Sequence, residues 1–360
     1  MFSVKSPQNY LQEPGLLVRA GELIRPLASH LRILTSPRAW QAVNPQLIHS
    51  LEQAGIRWET EYLQGECTAQ AVAGFRDNVQ QQGAEGILAV GGGRVLDTGK
   101  AANEALGDRQ LITVPTLAAT CAAWSPLAII YNSQGGHLSS NELSQMPALI
   151  LVDSAIIAAS DPRYLRSGIV DALAKWYEFE PFQRKNPHLL ALDLKVAAAR
   201  QATDIFLRQG AAAVVANQSQ QVTADLEKVI EANIALAGLA NSVRGSLATP
   251  GVAHVIHDTL THQPELHDWL HGEKVGFSLL LQSLLDNGMQ QPDPQLLSLL
   301  RQFGTPLRLP GLKGDRAARL YQIAHQIRFP ADSLNDLPFA VTPVTLLQAL
   351  QLTETTDFSA

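Results

Sequence analysis

Five of the ten histidines in this 360-residue chain fall between Gly251 and Gly276, in the stretch GVAHVIHDTLTHQPELHDWLHGEKVG. They are His254, His257, His262, His267 and His271. Imidazole is the commonest metal-binding side chain, and it serves best where a carboxylate completes the coordination and a further group orients the ring. A metal site is therefore the first chemistry this density suggests. His254 and His257 are spaced i,i+3 and His267 and His271 i,i+4, so either pair can share a helix face. Spacing alone does not choose between them.

A second candidate is the glycine turn Gly91-Gly92-Gly93, followed by Asp97 and Lys100. It ends an apolar run, 86–93, that reads as a buried strand, and it opens a helical pattern. Glycine lets the backbone turn sharply and approach a diphosphate, and a helix N-terminus offers unpaired N–H groups. The turn fits neither G-x-G-x-x-G nor the P-loop pattern. By itself it reads equally well as a tight strand-to-helix connection.

Both features need elements to hold them. From Leu31 to about Ser160 short apolar runs alternate with amphipathic patterns, the signature of βα units around a mostly parallel sheet. Strands are expected at 31–35, 56–63, 86–93 and 111–116, with helices over 44–54, 68–82 and 94–105 between them. After the apolar run 148–160 the texture becomes helical, with long patterns over 164–179, 188–209, 221–243 and 274–286. Two domains are expected, an α/β nucleotide-binding domain over 1–160 and a helical one over 161–360, hinged at Asp161-Pro162-Arg163.

The net charge of −6 and pI near 5.9 give no basic field, so nucleic acid and anionic membrane are not expected partners. Two cysteines, Cys67 and Cys121, are too few for a disulfide framework and fit a reducing, cytoplasmic setting. No run approaches the length of a membrane span or a signal-peptide core.

Gly91-Gly92-Gly93 with Asp97 and Lys100 resembles the GGGxxxDxxK signature of the iron-containing (group III) alcohol dehydrogenases. The resemblance continues in order through Val114-Pro115-Thr116, Ala119-Thr120, the run DALAKWYE at 171–178, His254, and HGEKV at 271–275. The DALAKWYE and HGEKV forms resemble the glycerol dehydrogenase-like branch. The resemblance implies a Rossmann-like α/β domain, an all-α domain as in dehydroquinate synthase-like folds, and a metal in the cleft between them. It implies a nicotinamide pocket formed by Gly92, Gly93, Asp97, Thr116, Ser125, Leu127 and Tyr131, and metal ligation by Asp171, His254 and His271. No side chain beyond the metal ligands need be catalytic, although His257 or His267 is a candidate proton relay. A homo-oligomer acting on a small carbonyl or alcohol is expected.

Four departures sharpen these expectations. Ser36 stands where the branch has Asp, with Arg38 two residues on, a pair that suits a 2′-phosphate, so NADP(H) is expected over NAD(H). Lys175 replaces the fourth ligand of the iron-binding members, which favours zinc, with iron, nickel or manganese as alternatives. Cys121 replaces an Asp that contacts polyols, with bulky Trp124 nearby, and Arg244 is a candidate carboxylate clamp. The expected reaction is reduction of small 2-oxo acids such as 2-oxobutanoate or 2-oxoglutarate, as in the hydroxycarboxylate dehydrogenases of this branch. The competing readings are a glycerol or short-polyol dehydrogenase, a dehydroquinate synthase-like lyase, and a nucleotide sensor without activity.

Overall fold

The computed structural model describes residues 2–330 and 332–358. The first part of the chain contains β1 (Ser3–Val4), β2 (Tyr10–Glu13), α1 (Ala20–Ile24), β3 (His30–Thr35), α2 (Pro37–Val43), α3 (Gln46–Gln53) and β4 (Arg57–Tyr62). Then follow α4 (Ala69–Gln81), β5 (Gly86–Gly91), α5 (Gly93–Leu106), β6 (Gln110–Pro115), β7 (Leu127–Tyr131), β8 (His137–Glu142), β9 (Leu149–Asp153) and α6 (Ser154–Ala158). Six strands form one parallel sheet in the order β2-β9-β6-β5-β3-β4. β3 and β5 are buried along their whole length, as strands covered on both faces must be; β5 is apolar throughout, while the buried His30 and Arg32 of β3 are paired with Glu59 and Glu61 of β4. From β3 the chain builds outward to β4, and from β5 it builds the other way. The order therefore reverses between β3 and β5, and ligands of open α/β sheets bind at the strand ends of such a switch point. Ser36 and Gly91-Gly92-Gly93 lie there.

The rest is helical: α7 (Pro162–Lys185), α8 (Leu190–Gln218), α9 (Ala224–Glu231), α10 (Ala237–Ser242), the short β10 (Val243–Arg244), α11 (Val252–Leu260), α12 (His271–Asp286), α13 (Pro294–Gln302), α14 (Arg316–Gln326) and α15 (Pro343–Thr355). α7 begins at Pro162, whose fixed φ suits a first helical position, and the Asp161 carboxylate accepts the Arg163 N–H at 2.8 Å. The helix expected over 221–243 is interrupted by a π-turn, Ala232–Leu236. That turn aims Asn233 at the loop after β6, where its Nδ2 donates to the Ala118 carbonyl at 2.9 Å.

Two close approaches seat α12 and the loop after β6 on α7. A Cβ on Gly272 would lie 1.9 Å from the Ser167 carbonyl oxygen, and one on Gly168 would lie 1.8 Å from that of Ala118. Only glycine lets α12 and the Ala118 loop approach α7 this closely. Elsewhere, β1 pairs antiparallel with β10, Lys5 bonds the Glu142 carboxylate at 3.1 Å, and Arg244 Nε lies 3.3 Å from the same carboxylate. The amino-terminal strand, the β7–β8 hairpin and β10 thus meet at one seam.

Candidate active site

Asp171, His254 and His271 come from three helices, α7, α11 and α12, and their ligand atoms all lie within 4.8 Å of one another. Asp171 Oδ1 is 3.2 Å from His254 Nε2 and 3.1 Å from His271 Nε2. Donors held about 2.0–2.2 Å from one tetrahedral ion are about 3.3–3.6 Å apart, so these residues, a few tenths of an ångström closer, fit a divalent metal. Asp171 is buried and both histidines are half-buried, which leaves the cluster one open side.

Glu178 is the group the sequence reading left without a role. It lies two turns from Asp171 on α7 and is 2% exposed. Its carboxylate accepts the His254 backbone N–H at 2.9 Å, and both of its oxygens lie 2.9 Å from Nδ1 of the same ring. With Nδ1 tied to a carboxylate, Nε2 is the nitrogen left for a metal. Burial opposes charge on this ring, but Glu178 and Asp171 outweigh it and raise the His254 pKa to about 9 without a metal. Burial likewise opposes the Asp171 carboxylate, and Lys175 with His271 overrides it, holding the group well below the usual range.

Lys175 extends into this cluster, its Nζ 3.0 Å from His254 Nε2 and 3.8 Å from Asp171 Oδ1. The position that holds a fourth ligand in iron-binding members thus carries a buried cation. His257 packs edge-on against His271 with ring centroids 4.3 Å apart, and its Nδ1 is 3.2 Å from Asp258 Oδ1. Burial and then the His271 field push its pKa down to about 3, so this imidazole is neutral. His267 is exposed at the end of a short 3-10 turn, and none of the hydrogen bonds among the described residues involves its ring. His262 is also exposed, its Nε2 2.9 Å from the His137 carbonyl oxygen.

The glycine turn stands at the head of α5, with Gly92 as N-cap and no side chain capping the helix amides. A Cβ on Gly92 would meet Leu117 at 3.3 Å. The free amides fit a diphosphate. Asp97 is buried and pairs with Lys100 at 2.8 Å, while its other oxygen accepts the Ile129 N–H at 3.3 Å. Lys100 Nζ also donates to the carbonyls of Ser125, at 3.1 Å, and Leu127. The pair therefore ties α5 to the segment that carries Ser125, Leu127 and Tyr131, while Thr116 follows β6 with its N–H on the Gly91 carbonyl at 3.2 Å. Ser36 caps α2 through Ala39 N at 3.4 Å, and Arg38 is exposed in its first turn, with no carboxylate partner among the described residues.

Cys121 is 5% exposed, takes the Asn241 Nδ2 at 3.6 Å, and lies within the fields of Lys175 and Asp171. Burial pushes its thiol up to about 11, so it is neutral. Trp124 packs between Tyr10, ring centroids 5.7 Å apart, and Gly238, and donates to Ser242 Oγ at 3.1 Å. Those contacts are packing. Arg244 is engaged by Glu142 and by the Asn241 and Val243 carbonyls, so a clamp role would require it to leave them.

The pattern that defines iron-containing alcohol dehydrogenases matches residues 7–154. A glycerol dehydrogenase of Pseudomonas putida is 32% identical over 355 residues, 97% of this chain and 96% of the relative. This chain is an iron-containing alcohol dehydrogenase family member. As an oxidoreductase of that family it binds a nicotinamide nucleotide and a metal. Hydroxycarboxylate dehydrogenase A of Escherichia coli K12 is 35% identical to this family member over 287 residues, 77% of this chain and 78% of the relative. The fold agrees: the crystal structure of a probable glycerol dehydrogenase from Sinorhizobium meliloti superposes with a TM-score of 0.86 at 26% identity, covering 99% of this chain and 98% of that one.

Proposed function

We propose that this dehydrogenase reduces small 2-oxo acids, such as 2-oxobutanoate or 2-oxoglutarate, to 2-hydroxy acids with NADPH preferred over NADH. The observation that carries the substrate reading is Cys121, buried and neutral where the branch has an Asp that contacts polyols, within the field of Lys175, a buried cation 3.0 Å from a metal-ligand nitrogen. An ammonium beside a divalent ion is a repulsive neighbour, and a substrate carboxylate relieves that repulsion. Neutral Cys121, in place of an Asp, removes a negative charge that would oppose the same carboxylate.

When bound, the metal supplies Lewis acidity at the carbonyl oxygen and the nicotinamide supplies the hydride. Asp171, His254 and His271 hold the ion, with zinc our first choice, and Glu178 fixes the His254 ring. Neutral His257, against His271 and Asp258, is our candidate for moving the product proton. The Gly92-Gly93 amides receive the diphosphate at the switch point, and exposed Arg38 receives the 2′-phosphate. We assign residues 1–160 to nucleotide binding and 161–360 to the metal.

A second reading, a glycerol or short-polyol dehydrogenase, is favoured by the nearly full-length likeness to glycerol dehydrogenases. A panel of 2-oxobutanoate, 2-oxoglutarate, dihydroxyacetone and glycerol, run with each cofactor on metal-quantified enzyme, separates the two. The expected result is a higher kcat/KM for the oxo acids with NADPH, an NADPH preference that Arg38→Ala abolishes, and an oxo-acid preference that Lys175→Met reduces. A higher kcat/KM for dihydroxyacetone than for any 2-oxo acid would overturn the reading.

A further inference from the structure

Lys195, on α8, is a buried cation that the site above does not use. It is 6% exposed, its Nζ donates to Thr249 Oγ1 at 2.9 Å, and it lies 4.4 Å from the Phe179 ring centroid. Among the described residues no carboxylate stands within ion-pair distance of it, whereas Lys100 is paired with Asp97 and Lys175 with Asp171. A buried ammonium without a counter-ion is costly. Burial, then the fields of Arg244 and Lys175, pull its pKa down to about 8, and both neighbours are themselves cations.

Its place relative to the metal ligands is set by α7. Asp171, Lys175 and Phe179 succeed one another at intervals of four residues, about 6 Å of rise each, along one helix face. The Lys195 head, over the Phe179 ring, thus stands about one helical turn beyond Lys175 on the side away from the metal cluster, within the fields of both Arg244 and Lys175. Thr249 closes the other side, from the loop 245–251 that joins Arg244 to α11 and His254.

We propose that Lys195 and Thr249 form an anion subsite for a second carboxylate of the substrate, so that the preferred class is the dicarboxylic 2-oxo acids. The carboxylate beside the reacting carbonyl faces Lys175, and the distal one completes the missing ion pair at Lys195. This rests on the 2-oxo acid reading of the site.

The test uses metal-loaded enzyme and the unreactive probes glutarate and butyrate, with binding read by isothermal titration. Wild type is expected to prefer glutarate, Lys195→Met to lose about ten- to a hundredfold of that preference, and Lys195→Arg to keep most of it. Thr249→Val gives a smaller loss and serves if the lysine variant fails to fold. In turnover, the ratio of kcat/KM for 2-oxoglutarate over 2-oxobutanoate falls by a similar factor in Lys195→Met. Equal glutarate preference in wild type, Lys195→Met and Thr249→Val, or none in wild type, would overturn the subsite. An enzyme that reduces dihydroxyacetone but no 2-oxo acid overturns the functional reading instead, and the glutarate titration still decides the subsite.

Discussion

Glu178→Gln removes one charge and almost no volume at a carboxylate that never touches the metal. Three contacts at 2.9 Å link Glu178 to His254, one to its backbone N–H and two to Nδ1. A carboxamide offers only one acceptor oxygen, so the backbone N–H and the ring N–H must share it while the new NH2 group faces one of them. The imidazole can escape by moving its proton to Nε2, but that nitrogen then has no lone pair for the ion. Groups that orient a metal-binding histidine in this way are worth about 10- to 100-fold in metal affinity, or about 1.4–2.8 kcal/mol. Competition against a chromogenic chelator should therefore show zinc held about 10- to 100-fold more weakly by the variant, with circular dichroism and NADPH binding unaltered. Turnover at limiting metal falls in the same proportion and recovers as metal is added. A variant that holds zinc as tightly as wild type would refute the reasoning, because the Glu178 contacts would then not set the ring's tautomer.

Gly272→Ala places a Cβ 1.9 Å from the Ser167 carbonyl, and we expect a loss of about 1–3 kcal/mol or more in denaturant unfolding, with metal affinity falling as His271 shifts. Asp97→Asn leaves buried Lys100 without its carboxylate and should cost about 3–5 kcal/mol by the same measurement. Cys121→Asp should raise glycerol oxidation and lower 2-oxo acid reduction; a substrate panel that does not move would detach residue 121 from selectivity. Lys195 predicts a pH dependence of stability: unfolded chain keeps its proton to the ordinary 10.5, and the folded protein releases it near 8. The folded state binds fewer protons between those values, so stability rises from pH 8 toward 10.5 by up to something on the order of 3 kcal/mol, and chemical denaturation of Lys195→Met should lack that rise.

The parallel sheet was legible because buried strands and amphipathic helices leave different periods, and β3, β5 and β6 lie within a residue or two of their expected bounds. Helix α2 was missed because its seven residues are too few for a period, although Ser36-Pro37 is a start signal. The β7–β8 hairpin was missed because β8, HLSSNE, is mostly polar and carries no apolar alternation. Among the site residues, spacing could not choose among five histidines, since Asp171 is 83 positions from His254 and no local rule joins them. Glu178 was within reach: it sits seven residues from Asp171, hence on the same face of α7. Lys195 had no such signal. A lysine in an Ala- and Leu-rich helix reads as a solvated face until the structure shows that it is buried without a partner.

The seam of β1, β10 and Glu142 makes the chain's first residues part of the mounting of the catalytic half. Ser3 and Val4 are hydrogen-bonded to the strand that leads, ten residues on, to a metal ligand, and Lys5 shares with Arg244 the carboxylate that steadies the hairpin. Loss of Ser3–Lys5 would therefore unpair β10 and take one of two cations from Glu142, at the start of the segment that runs through the loop 245–251 to His254.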